Sequence, residues 1–352
     1  MTKNSKKDVG EPRRGFASDN NATILPEILQ AVTDANSGHA LAYGADVWTE
    51  RAVARFRAHF GESAQVFFVF NGTAANVLGI GSLAQSYHAV ICADTAHIQN
   101  DECGAPEVNL GTKLIPCSTP DGKLTPTLVK PLLRGFGDQH HVQPRVISIS
   151  QTTEMGTLYQ PDEIRGLSRL AHEHQMFLHM DGARISNAAA ALGLPLGAFT
   201  TNCGVDALSF GGAKNGLLLG EAVVILRPEL AEGFSYRRKQ AMQLSSKMRF
   251  IAAQFERLLT DDLYLRGASH ANQMAQTLAN QIRGLPGVEI TQKVEANGIF
   301  VRIPRAIIPA LQKQNYFYVW DEARSEVRWM TSHDTRLEDI ESFVSALKKL
   351  LS

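Results

Sequence analysis

The chain has 352 residues, 44% of them hydrophobic, with 35 lysines and arginines against 35 aspartates and glutamates. That length and apolar content support one large domain and a smaller one, each with its own core. A net charge of zero leaves no electrostatic footprint for nucleic acid or an anionic membrane, so small molecules are the expected partners.

In chain order, residues 1–14 (MTKNSKKDVGEPRR) are too polar to join a core and are expected to form a mobile arm, with the N-terminal segment drawn over 1–25. A large α/β domain is expected over 26–232. The runs VFFVF (66–70), AVICA (89–93), KLIPC (113–117), RVISIS (145–150), MFLHM (176–180), ALSF (207–210) and AVVIL (222–226) are short and mostly do not alternate. Strands covered on both faces read this way. Ser63 to Ala93 carries no charged residue, but Asn71, Thr73, Asn76, Gln85 and His88 interrupt it too often for a membrane span. A strand, a turn, a helix and a second strand are expected there instead.

Helical patterns fill the gaps, most clearly QPDEIRGLSRLAHEH. Pro161 suits a first turn, Asp162 and Glu163 face the positive end of the helix dipole, and Ile164, Leu167 and Ala171 share one side. Strands alternating with helices predict a largely parallel sheet, with ligands beyond the carboxyl ends of its strands. A smaller α+β domain is expected over 233–352. It comprises a long helical region over roughly 239–283, short strands near 288–290 and 298–304, a pair in YFYVW and VRWMT, and a closing helix LEDIESFVSALKKLL. Cys92, Cys103, Cys117 and Cys203 show no metal spacing and follow no secretory signal, so reduced thiols in a cytoplasmic protein are expected.

Four stretches carry chemistry at strand ends. FNGTAAN (70–76) opens a helix, so the backbone N–H groups of Gly72, Thr73 and Ala74, the Thr73 hydroxyl and the helix dipole can cradle a phosphate. Neither a Walker lysine nor GxGxxG accompanies it, so the nucleotide motifs fail. DTAHIQNDECGAPE (94–107) brings His97 to the same edge, where an imidazole can stack on a ring or move a proton. FLHMDGAR (177–184) ends a buried strand near Asp181. LSFGGAKNG (208–216) ends the next in Lys214, with Gly211 and Gly212 permitting a close approach. One βαβ unit separates these two, so they are expected on neighbouring strands. An amine and a carboxylate so placed suit pyridoxal phosphate (PLP), with a Schiff base to Lys214 and Asp181 at the ring nitrogen. Taken singly, His97 reads as a loop histidine and Asp181 as a helix cap; their shared edge favours the chemical reading.

The series SDNNATILPE, AYGAD, FNGTAAN, AHIQNDECGAPE, SQTTEMGTLYQPDEI, HMDGARISNAAAALG and SFGGAKNGLLLGEAVV resembles the PLP-dependent threonine aldolases. The likeness runs from about residue 16 to the end and is strongest to the bacterial low-specificity L-threonine aldolase and phenylserine aldolase branch. It implies the aspartate aminotransferase-like fold of type I PLP enzymes, as a homodimer or homotetramer with active sites between subunits. It also implies cleavage of L-threonine, L-allo-threonine and related β-hydroxy-α-amino acids to glycine and an aldehyde.

By the same resemblance, Lys214 is the cofactor lysine, Asp181 the pyridinium partner, Gly72 and Thr73 the phosphate turn, and His97 the residue stacked over the ring. Arg184 and Arg328 correspond to the pair holding the substrate carboxylate, helped by Ser18. Tyr43 and Arg238 correspond to groups donated toward a neighbouring subunit's cofactor. Two positions depart from the pattern: Ala213 stands where many relatives carry Ser or Thr, and Glu154 where some carry His. The base that takes the β-hydroxyl proton is left open between His97, Glu154 and a water held by them. A phenylserine aldolase preferring aryl substrates, an aminotransferase or a β-eliminating lyase would keep the same Lys214 and Asp181.

Overall fold

The structure, a computed structural model, describes residues 14–352; the first thirteen residues of the expected arm lie outside it. Seven strands form the main sheet: β1 (Gln65–Val69), β2 (His88–Ala93), β3 (Lys113–Cys117), β4 (Gln143–Ser150), β5 (Phe177–Gly182), β6 (Ala207–Phe210) and β7 (Glu221–Ile225). Their spatial order is β1-β7-β6-β5-β4-β2-β3. Pairing is parallel from β6 through β5, β4 and β2 to β3, whereas β7 runs antiparallel to both β6 and β1. Six strands therefore end at one edge of the sheet, and β7 alone begins there. Every residue of β6 and β7 is buried, as strands covered on both faces require. The strands fall within a residue or two of the apolar runs that predicted them.

Two helical expectations change. The helix expected at Gly182 or Ala183 starts at Ile185. The Asp181 carboxylate accepts the Ala183 N–H at 2.9 Å, and this turn delays the helix. The region expected to be helical over 239–283 is three helices, Phe234–Gln240, Met248–Leu258 and Leu263–Ile282. Its breaks fall where Met242, Asp261 and Asp262 take φ of 62°, 53° and 51°, a left-handed conformation that a right-handed helix excludes. The second break has a packing reason. Met248, Ile251, Phe255 and Leu258 face the core of the main sheet, whereas Ala275, Leu278 and Ile282 face a second core.

That second core lies on an antiparallel sheet of β8 (Glu289–Ile290), β9 (Gly298–Arg302), β10 (Tyr318–Asp321) and β11 (Glu326–Met330), ordered β10-β11-β9-β8. The closing helix Leu337–Leu351 supplies Phe343, which packs edge-on against Trp329 at 4.8 Å. Truncating either aromatic to alanine costs about 3–5 kcal/mol. Phe16 joins this core, its ring 4.8 Å from Phe343, and its backbone pairs with Tyr316 and Met330. Leu25 belongs to the other core, and its N–H donates to the Gly216 carbonyl. The stretch between Phe16 and Leu25 thus spans the two cores and lies along the edge where the strands end. Among the described residues, no helix is long and apolar enough to cross a membrane.

Candidate active site

Two cavities open at that edge, of about 350 and 770 Å³. Both are lined by Asn20, His97, Glu154 and Lys214. The smaller adds Gly72 and Thr73 from the start of the helix after β1, Asp181 from β5 and Glu221 from the start of β7. The larger adds Ser18, Arg184, Tyr318, Trp320 and Arg328. Lys214 stands at the junction, in the short turn Ala213–Asn215 after β6. A Cβ at Gly211 would lie 2.1 Å from the Ala183 carbonyl oxygen, so only glycine lets the lysine's turn sit this close to the loop after Asp181. Adjacent parallel strands thus carry the carboxylate and the amine to one cavity.

The helix Gly72–Leu83 begins at this cavity, and Asn71 caps it by accepting the Ala74 N–H at 2.9 Å. The sequence assigns that amide to a phosphate cradle; the structure uses it in the cap. First-turn amides have no partner inside a helix, so Gly72 and Thr73 remain as the donors facing the cavity. A Cβ at Gly72 would meet nothing within 4 Å, so this helix end opens on free space.

One turn further along, the Asn76 side chain bridges two buried acids. Its Nδ2 donates to Asp181 Oδ2 and to Glu102 Oε1, each at 2.8 Å. Glu102 Oε1 is also 2.9 Å from His97 Nδ1. That hydrogen bond is the main reason the His97 pKa is raised; burial opposes it, and the charges of Glu154 and Asp181 add to it. Two residues before Asp181, the buried His179 ring lies between the hydroxyls of Ser148 and Ser209, and burial pulls its pKa down to about 4. It is a neutral prop beneath the site.

The two arginines differ. Arg184 is buried and bound by Asp19 through Nε and Nη2, and Asp19 also accepts from Asn297 at 3.1 Å. Burial would raise the Asp19 pKa, but the charges of Arg184 and Lys214 outweigh it and hold the carboxyl below its usual range. Arg328 has no carboxylate partner among the described residues. It stacks over Trp320 at 5.1 Å, and its buried Nε is unpaired. Burial, then the like charge of Arg184, lowers its pKa. A guanidinium left like this is a site for an anion.

The family model of the beta-eliminating lyases matches residues 15–305. The chain belongs to this family. Within it, the chain is 45% identical to the low specificity L-threonine aldolase of Pseudomonas aeruginosa, over 96% of this chain and 97% of that protein. The resemblance read from the motifs therefore holds along nearly the whole length. Among solved structures, the threonine aldolase of Leishmania major superposes with a TM-score of 0.90 at 28% identity, covering 96% of this chain and all of that one. An alanine–glyoxylate aminotransferase from Nostoc sp. superposes with a TM-score of 0.71 at 15% identity over the full length of both chains, a likeness of fold alone. The fold is the aminotransferase-like α/β architecture expected.

In this beta-eliminating lyase, the cavities gather Lys214, Asp181, His97, Glu154, Gly72, Thr73, Arg184, Arg328 and Ser18. Tyr43 and Arg238 line neither. Tyr43 is 53% exposed, and Arg238 donates to the Phe68 carbonyl and stacks on Phe67. The sequence reading passed over Asp19, Asn76, Glu102 and Glu221 as site residues. Glu221 is buried, accepts the Gly212 N–H and has its pKa pushed up to about 7 by burial. A polar residue inside an apolar run was the available signal for Asn76 and Glu221. Asp19 and Glu102 lie in polar stretches that offer none.

Proposed function

We propose that the protein is a PLP-dependent aldolase that cleaves L-threonine, L-allo-threonine and related β-hydroxy-α-amino acids to glycine and an aldehyde. The observation that carries this reading is Lys214 at the junction of two cavities, one with free helix amides and Asp181, the other with the unpaired Arg328. The identity to a low specificity L-threonine aldolase supports the substrate class.

The residues of the smaller cavity fit the cofactor. The open helix end at Gly72 and Thr73 suits its phosphate, the buried Asp181 its ring nitrogen, and the Lys214 amine its aldehyde. When bound, PLP supplies an electron sink for the bond that breaks at Cα. Arg328 would hold the substrate carboxylate, with the remaining Nη1 of Arg184 and the Ser18 hydroxyl beside it. Fixing that carboxylate selects which bond at Cα is aligned to break.

Glu154 is 9% exposed and has no hydrogen-bond partner among the described residues, whereas Glu102 favours the protonated form of His97. Glu154 is therefore the better acceptor for the β-hydroxyl proton, and His97 the better donor. As the hydroxyl proton leaves, the Cα–Cβ bond breaks, the aldehyde departs, and a proton delivered to Cα completes glycine.

Tyr318 and Trp320 on the wall of the larger cavity favour aryl substrates such as L-phenylserine as well. Leu218 and Leu219, exposed at the rim of the smaller cavity, support a homodimer or homotetramer in which Tyr43 and Arg238 face a neighbouring subunit's site. Four free cysteines suit a cytoplasmic protein. The test is turnover of L-threonine, L-allo-threonine and L-phenylserine side by side. Glycine and aldehyde in equal amounts are expected; a keto acid without glycine overturns the proposal.

A further inference from the structure

The structure assigns Glu102 as a positioning residue that holds His97 by Nδ1 and leaves Nε2 to the cavity, with Asn76 coupling that histidine to Asp181. This rests on the functional reading above for its purpose, but its geometry stands apart from turnover. The Glu102 side chain is 0% exposed, and a buried carboxylate is costly unless paired. Its bonding partners are His97 Nδ1 and Asn76 Nδ2, both on Oε1, while Oε2 is buried without a partner. No lysine or arginine among the described residues forms an ion pair with it. Glu102 and His97 thus depend on each other: the acid needs a cation, and the imidazole needs an acceptor to fix its ring.

Asn76 has the second half of the task. Both hydrogens of its amide nitrogen go to carboxylates, one from each acid, and its Oδ1 is buried and unpaired. An asparagine serving only to fill a helix face would have no reason to use both hydrogens on acids and leave its oxygen unpartnered. As placed, it spaces Asp181 from Glu102 and joins them in one hydrogen-bonded row ending at His97. A change of charge at Asp181 is then felt at His97 through the row. Asp181 also acts on His97 directly through space, as do the other charged groups facing it, Glu154 and Lys214.

The test is a histidine titration by NMR on the full-length protein, with the His97 resonance assigned from its loss in His97→Asn. In the wild type, its midpoint lies above the ordinary histidine value. Glu102→Gln lowers it by about one unit or more, a roughly tenfold loss of proton affinity, and Glu102→Asp restores part of the shift. Asp181→Asn lowers the midpoint in the wild-type background and lowers it less when Asn76 is alanine, where only the through-space part remains. Thermal melts identify any variant that does not fold; if Glu102→Gln is one, Glu102→Asp reads the same contact through a smaller shift. A midpoint unchanged in the Glu102 variants overturns the assignment of Glu102. An Asp181→Asn shift of equal size with and without Asn76 overturns the coupling. Glycine release by the wild type judges the functional reading separately, because the titration requires no turnover.

Discussion

Asp19 binds Arg184 through two hydrogen bonds, Nε to Oδ2 at 2.6 Å and Nη2 to Oδ1 at 2.8 Å, across 165 positions of sequence. The pair is almost fully removed from water, with side-chain exposures of 8% and 1%. Two consequences follow for the site. The N-terminal stretch is fastened along the sheet edge, and two donors of Arg184 are engaged before any ligand arrives.

Breaking this pair is expected to be costly. Asp19→Ala leaves a buried guanidinium without its counter-ion, a loss of about 3–5 kcal/mol measurable by urea unfolding. The pH dependence has a defined sign. Because the folded Asp19 pKa is depressed, its contribution is present above the unfolded value of about 3.9 and is lost as pH falls through the folded one. Asp19→Asn should therefore lose least relative to the wild type in strong acid. A stability gap that widens below that range would contradict the pairing.

Arg328 has the opposite character, a half-buried cation waiting for an anion. Arg328→Ala should lower kcat/KM for β-hydroxy-α-amino acids on the order of 100-fold, the scale of lost charge-assisted hydrogen bonds, with little change in melting temperature. Arg328→Lys should recover only part, because an ammonium cannot reproduce the planar fork. Unchanged kinetics in Arg328→Ala would move the carboxylate site elsewhere.

Lys214 is tested by chemical trapping. Borohydride reduction of the protein with PLP should leave the cofactor mass on the peptide containing Lys214, and Lys214→Ala should show no adduct at the site. A retained adduct on another lysine there would reassign the anchor.

For Glu154, replacement by glutamine keeps the shape and removes the proton acceptor. A general base typically contributes about 10²–10⁴-fold, so kcat for L-threonine cleavage should fall within that range while cofactor binding persists. A fall of less than threefold would return the role to His97 or to a water molecule.

Glu221 gives a second pH signature, of opposite sign to that of Asp19. Its folded pKa is raised by burial to about 7, so the folded state holds a proton that the unfolded chain releases near pH 4.3. Stability then declines as pH rises from about 4.3 through the folded value. Glutamine keeps an acceptor for the Gly212 N–H without this burden. Glu221→Gln should therefore gain in melting temperature relative to the wild type as pH rises from about 5 to 8, and parallel curves would sink the idea.

Much of the architecture was written locally. Apolar runs, a proline at a first turn and glycines after strands depend on neighbours a few residues apart, and these located all seven strands of the main sheet. Because parallel strands share one active edge, residues just past their ends could be gathered without coordinates: Gly72 after β1, His97 after β2, Asp181 in β5 and Lys214 after β6. What the chain alone did not disclose was pairing at a distance. Asp19 with Arg184, Asn76 with Asp181 and Asn76 with Glu102 join positions 165, 105 and 26 residues apart. The Ala74 amide, expected at a phosphate, was claimed by the adjacent Asn71. The break near residue 261 belongs to the same class, because it lets consecutive helices serve two separate cores. Local chemistry determined which groups reach the edge. Only the folding of the sheet and the crossing of the N-terminal stretch decided which are already bound to one another, because hydrogen-bond partners are set by proximity in space and leave no periodic trace in sequence.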